Sequence, residues 1–223
     1  MTDSRDAIFP IWKPQMITST DVVRKVKSRF NLSKVGHCGT LDPFAEGVLI
    51  ILSGNKTLES NKYMNTVKTY RATIVLGRET DTLDILGETI RVKALENRFS
   101  NQDIEKVLTE FKGEIKQRPP AFSAKKINGV RLYKFARKDI FIHLKPVSIL
   151  IDEIDFISFN GHELVIDVKC HKGTYIRQLG NDIAKKMGTL GHLKSLTRTS
   201  IGNYNFKNTF QLEDIDNWKF VKH

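Results

Sequence analysis

The sequence predicts an α+β fold on one mixed, mainly antiparallel central sheet, and three features lead there. Strand patterns recur at 69–76, 147–157 and 163–170, helical periodicity follows capping signals elsewhere, and the two do not alternate with a regular strand-helix-strand period. A doubly wound parallel sheet is therefore excluded. Nothing repeats and no low-complexity linker divides the chain, so residues 1–223 read as a single domain.

Each element has a local cause. A first helix over 21–30 is introduced by Thr18, with Asp21 three positions later in the spacing of a capping box. Residues 48–52 form a short apolar run that reads as a buried strand, and 69–76 as a half-buried one. Ser100 and Asp103 repeat the capping box, and Ile104, Val107, Leu108 and Phe111 follow on one helical face before Gly113. Arg118-Pro119-Pro120 interrupts regular structure, so the segment 112–145 is expected to begin as a loop leaving the sheet. In 163–170, Leu164, Ile166, Val168 and Cys170 alternate with Val165, Asp167 and Lys169. Residues 175–187 place Ile176, Leu179, Ile183 and Met187 on one helical face, with Gly188 as the stop. A last helix is expected after Thr209.

Composition narrows the function. The chain has 223 residues, 40% hydrophobic and 27% charged, which is ordinary for a globular protein and wrong for a disordered one. The apolar run Gly47-Val48-Leu49-Ile50-Ile51-Leu52 falls far short of the roughly 20 residues a spanning helix needs. No export signal opens the sequence, and with only Cys38 and Cys170 no disulfide framework is expected, so the cytoplasm is the expected compartment. The net charge of +11 is the footprint of a protein that meets polyphosphate. Ten basic and two acidic residues fall within 112–145, together with Phe122, Tyr133, Phe135 and Phe141. Such a window can neutralise phosphates and stack bases, or it can be a solvated loop whose rings anchor it to the core.

Gly36-His37-Cys38-Gly39-Thr40-Leu41-Asp42-Pro43 is a tight loop ahead of an apolar strand. The proline bars helix at Asp42, so this carboxylate sits on an extended or turn backbone. It can serve as nucleophile, as general base, or as an Asx turn that caps its own loop. His37-Cys38 and Cys170-His171 lack the spacing to share one zinc ion, and Ser53-Gly54-Asn55-Lys56-Thr57 lacks the upstream glycine of a phosphate-binding loop. In Lys172-Gly173-Thr174-Tyr175-Ile176-Arg177 a strand hands over to a helix, where backbone N–H groups and Arg177 can hold an anion, or where a glycine turn leaves Arg177 as a surface charge. Tyr70 reads by itself as an ordinary strand tyrosine.

Taken together, these segments resemble the TruB-type tRNA pseudouridine synthases from about Phe9 to Tyr204. The signature loop is matched by Gly36-His37-Cys38-Gly39-Thr40-Leu41-Asp42-Pro43 with Gly47-Val48-Leu49, the N-terminal motif by Lys13-Pro14, and the tyrosine strand by Thr69-Tyr70-Arg71. Further matches are Thr80-Asp81-Thr82-Leu83-Asp84 with Gly87, the RNA-gripping thumb from Arg118 through Lys125, Lys126 and Arg131 to Arg137, the arginine motif to Arg177, and Leu196 with Arg198-Thr199 and Gly202.

The resemblance implies the pseudouridine synthase fold with a basic thumb at about 112–145. It implies that uridine in the tRNA T-loop, at position 55 of tRNA, is isomerised without cofactor or metal. Asp42 would attack the uridine, Tyr70 would pack on the base and help proton transfer, and Arg177 would pair with Asp42. His37 would stand in the RNA-facing loop, Tyr175 and Leu196 would line the uridine pocket, and Asp84, Lys125, Lys126 and Arg131 would contribute to RNA binding. A monomer with no obligatory protein partner and no membrane is expected. A non-catalytic RNA-binding module on the same scaffold and a guide-dependent enzyme of the box H/ACA type are the competing readings.

The sequence departs from the family pattern at Cys38, Glu46, Phe122 and Thr197. Because it stops at His223, the C-terminal RNA-binding PUA domain of many members is not expected.

Overall fold

The computed structural model describes residues 5–95, 99–123, 125–127, 129–136, 138, 140, 142 and 144–218, without the side chains of Lys126, Arg131 and Lys134. In chain order the elements are β1 (Ala7–Lys13), α1 (Ser19–Arg29), β2 (Val35–His37), β3 (Glu46–Ser53), α2 (Ser60–Asn65), β4 (Lys68–Leu76), β5 (Arg78–Thr80), β6 (Thr89–Val92), α3 (Asn101–Thr109) and β7 (Gly113–Gln117). There follow β8 (Lys126–Ile127), β9 (Val130–Arg131), α4 (Leu132–Ala136), β10 (Val147–Phe159), β11 (Glu163–Cys170), α5 (Ile176–Lys186), β12 (Gly191–Ile201), β13 (Tyr204–Asn205) and β14 (Phe210–Gln211). The chain forms two compact units, one running up to Tyr70 and resuming at Thr197, the other Arg71–Leu196.

In the first unit the strand order is β14, β1, β3, β12. β1 is antiparallel to β3 from Ala7↔Ser53 to Lys13↔Gly47, and β12 is parallel to β3 at Thr197↔Glu46 and Arg198↔Gly47. β3 is apolar from Val48 to Leu52 because both its faces are covered there. Leu49 and Ile51 enter a core with Phe9, Ile11, Val22 and Val26, while Val48, Ile50 and Leu52 pack with Cys38, Tyr63 and Ile201. Only glycine fits at position 47: its φ is +117°, and a Cβ would lie 2.3 Å from the Arg198 carbonyl oxygen.

In the second unit β10 is antiparallel to β11 and to β7. The alternation expected for 163–170 is observed, with Leu164, Ile166, Val168 and Cys170 all buried. β5 pairs with β6 and β8 with β9, each a separate two-stranded ribbon. α5 lies close enough to β4 and β12 that a Cβ on Gly180 would meet Leu193 at 2.8 Å and Ile74 at 3.3 Å.

The mixed, mainly antiparallel α+β architecture agrees with the expectation from sequence. Both capping boxes form: Thr18 accepts from the Asp21 N–H and Ser100 from the Asp103 N–H, and each aspartate accepts from its cap residue. Three expectations are corrected. Residues 113–117, taken as the start of an excursion, are strand β7, because β10 supplies backbone partners from Val147↔Gln117 to Ile151↔Gly113. After Thr209 there is no α-helix among the described residues: Phe210–Gln211 pairs in parallel with β1, and Glu213–Asn217 is a single 3-10 turn. Gly36 and His37, expected in the loop, belong to strand β2, antiparallel to β3.

Candidate active site

Asp42 follows β2 on the link to β3, in the first unit. Its loop is tied down residue by residue. The Ser19 hydroxyl donates to the Leu41 carbonyl and accepts from the Leu41 N–H, both at 2.9 Å. The Met16 N–H reaches the Pro43 carbonyl at 2.7 Å, and the Ala45 N–H reaches the Asp42 carbonyl at 3.2 Å. Asp42 itself keeps partial exposure. A carboxylate at the surface of an immobilised loop is presented in a defined direction, as a nucleophile requires.

Two buried cations complete the support. Lys13 is fully buried, and Nζ donates to the carbonyls of Pro14 and Ile17 at 2.8 Å and of Pro43 at 3.4 Å. Burial lowers its pKa from 10.5 to about 8, opposed by the Asp42 carboxylate and reinforced by the Arg198 charge. Arg198, 1% exposed, donates from Nε to the Val48 carbonyl at 2.7 Å, from Nη1 to Thr40 at 3.4 Å and from Nη2 to Gly39 at 3.2 Å. Its fork thus joins β12 to β3 and to the loop preceding Asp42.

Tyr70 is buried on β4, on the face it shares with Lys68, Ala72, Ile74 and Leu76. His37 closes β2 with partial exposure. The Cys38 thiol is buried and pushed up to about 11 by desolvation, so it stays protonated at neutral pH and does not compete as nucleophile. Two departures from the family pattern meet each other: Thr197 Oγ1 donates to Glu46 Oε1 at 3.2 Å, across the parallel pairing of β12 and β3.

In the second unit, Arg177 lies in the first turn of α5, for which Tyr175 is the N-cap. Gly173, at φ +87°, makes the turn into the helix, and the Thr174 hydroxyl donates to the His171 carbonyl at 3.0 Å. Gln117, at the end of β7, grips Tyr175 from both sides: its Oε1 accepts from the Tyr175 N–H at 2.9 Å and its Nε2 donates to the Tyr175 carbonyl at 3.1 Å.

Arg177 is 6% exposed, which excludes its reading as a surface charge. Nη1 donates to the Thr82 carbonyl at 2.5 Å and lies 3.4 Å from Asp84 Oδ2, while Nη2 donates to the Phe122 carbonyl at 2.7 Å. Asp84, also 6% exposed, accepts at Oδ1 from the Thr82 hydroxyl at 2.8 Å and the Leu86 N–H at 3.0 Å. The carboxylate therefore builds its own turn and faces the guanidinium. A Cβ on Gly87 would strike Thr82 Oγ1 at 2.3 Å, which accounts for that glycine. Leu196 is buried on β12.

The sequence offered Arg177 as a partner of Asp42 and Asp84 as an RNA-binding residue, not as neighbours of each other, and it gave no supporting role to Lys13, Arg198 or Gln117. A signal existed for the first two. Phe9, Ile11 and Lys13 alternate along the buried face of β1, as Leu196 and Arg198 do on β12. Lys125 is partly buried just ahead of β8. Lys126 and Arg131 face each other across the β8–β9 ribbon, and their side chains lie outside the described residues.

The family model described as TruB family pseudouridylate synthase (N terminal domain) matches residues 27–176. The tRNA pseudouridine synthase B of Caldanaerobacter subterraneus subsp. tengcongensis is 40% identical over 217 residues, covering 97% of this chain and 76% of that protein. Its counterpart from Aquifex aeolicus is 42% identical over 212 residues, covering 94% of this chain and 73% of that protein. Among solved structures, a chain of a Cbf5-Nop10-Gar1 complex superposes with a TM-score of 0.72 at 28% identity; the match covers 94% of this chain and spans only 53% of that one. The signature loop, the buried arginine and these matches converge: the chain belongs to the TruB family of pseudouridylate synthases.

Proposed function

We propose that this chain isomerises uridine to pseudouridine in tRNA, at position 55 in the T-loop, with residues 1–223 acting as one catalytic domain. The observation that carries the reading is the Asp42 loop. Its backbone is held by Ser19, Lys13 and Arg198 while its carboxylate stays partly exposed. The relatives of about 40% identity are named tRNA pseudouridine synthase B, which favours tRNA as substrate over the guide-dependent reading.

The reaction breaks the C1′–N1 bond, turns the uracil in place, joins C1′ to C5, releases the C5 proton and protonates N1, directly or by exchange with water, so no atom is gained and no cofactor is required. Asp42 is the nucleophile that holds the ribose or the ring while the base turns. Extruding the base costs a few kcal/mol, repaid by contact with apolar and aromatic side chains, the part for which Tyr70, Tyr175 and Leu196 are suited. Arg177 is the cation of the reaction, and Asp84, 3.4 Å from its Nη1, orients that guanidinium. His37 faces the RNA, and Lys125, Lys126 and Arg131 meet its phosphates. The enzyme acts in the cytoplasm as a monomer without an obligatory protein partner.

Incubating the purified chain with unmodified tRNA and mapping carbodiimide-modified positions by primer extension tests this reading. One stop at position 55 is expected without any added RNA or protein. Absence of a stop rules out a stand-alone enzyme, and activity restored only by a guide RNA favours the box H/ACA reading.

A further inference from the structure

The two carbonyls that hold Arg177 belong to segments of different character. Thr82 lies in the turn closed by Asp84, whereas Phe122 lies at the root of the basic excursion. That excursion is fastened to the same root. The Tyr133 N–H donates to the Ser123 carbonyl at 3.1 Å and the Leu132 N–H to the Lys125 carbonyl at 2.8 Å. Leu132 and Ala136 of α4 are 2% and 3% exposed, so this short helix is packed rather than hanging in solvent. The β8–β9 ribbon, with Lys126 opposite Arg131, is the chain between Lys125 and Leu132. A displacement of the ribbon or α4 therefore reaches the Ser123 carbonyl, the adjoining Phe122 carbonyl and then the guanidinium. Because that group is a planar fork, moving one acceptor tilts every other contact it makes.

We infer that Phe122 and Ser123 are positioning residues for Arg177, through which RNA seated on the basic ribbon sets the guanidinium for the chemical step. Selectivity for full T-arms then resides in the rate of the bound complex as well as in affinity, and an RNA too short to reach the ribbon binds but turns over slowly. The inference rests on the reaction proposed above. Misplacing a catalytic group by about 1 Å costs up to roughly a hundredfold in rate, so the coupling is large enough to measure.

The test compares single-turnover rates at saturating tRNA for Tyr133→Pro and Tyr133→Ala. Both lose the ring, but only the proline loses the N–H bonded to Ser123, which lies in the first turn of α4, where the N–H groups have no partner within the helix. The saturating rate of Tyr133→Pro is expected to fall about tenfold or more below that of Tyr133→Ala. Equal saturating rates, with differences confined to the half-saturating tRNA concentration, overturn the inference. If Tyr133→Pro does not melt cooperatively, the wild-type chain decides, through its saturating rates on a T-arm hairpin and on the isolated loop. A rate about tenfold lower on the loop supports the coupling, and equal rates overturn it. A wild-type chain that leaves full tRNA unconverted refutes the proposed reaction instead.

Discussion

Arg198 Nη2 donates to the carbonyl of Gly39 at 3.2 Å, so a side chain from near the end of the sequence holds the loop that presents Asp42. The same guanidinium reaches the Val48 and Thr40 carbonyls, and its own main chain pairs with Gly47. Arg198→Ala removes the donor that ties the Val48, Thr40 and Gly39 carbonyls together and opens a cavity where a fully buried side chain stood. A loss of about 3 kcal/mol in urea unfolding is expected, with Arg198→Lys recovering part of it because an ammonium cannot reproduce the fork. A change within about 0.5 kcal/mol, typical of a surface substitution, contradicts this assignment.

Asp42→Asn is nearly isosteric and leaves in place the backbone bonds of Leu41, Asp42 and Pro43 that tie the loop down. Pseudouridine formation is expected to vanish while tRNA binding, followed by filter retention, stays within about threefold of wild type, since most of the affinity comes from phosphate contacts elsewhere. Full activity in this variant removes Asp42 from the mechanism.

Lys13 carries a pH dependence with a definite sign. Its pKa falls from 10.5 to about 8 on folding because the ammonium is desolvated. Between those two values the unfolded chain holds more protons than the folded one, so the stability contributed at this position rises as pH climbs from about 8 to 10.5 and is level below 8. Urea unfolding of wild type and Lys13→Met across this range checks it. The difference between them should grow in favour of wild type with increasing pH, and a difference that shrinks reverses the assignment.

How much was legible in advance differs by element. The capping boxes at Thr18 and Ser100 needed only neighbours three residues away, and the alternation in 163–170 needed only one buried face. Phe210–Gln211 had no local mark of a strand, because its partner is β1, at the other end of the sequence. The same holds for β7, whose ladder is completed by β10 across the whole basic excursion.

Residue types and spacing were sufficient for the family, the signature loop and the identity of Asp42, Tyr70 and Arg177 as candidates. Their supports were decided by tertiary structure. Lys13, Arg198 and Arg177 are written as charges and would ordinarily be assigned to the surface, yet each is buried. A buried cation is tolerable only where several oxygens converge on it. Here those oxygens are main-chain carbonyls of Ile17 and Pro43, of Gly39 and Val48, and of Thr82 and Phe122. Every residue contributes the same carbonyl, so no side-chain pattern marks which ones a fold will aim at a charge, and only the folded chain brings them together.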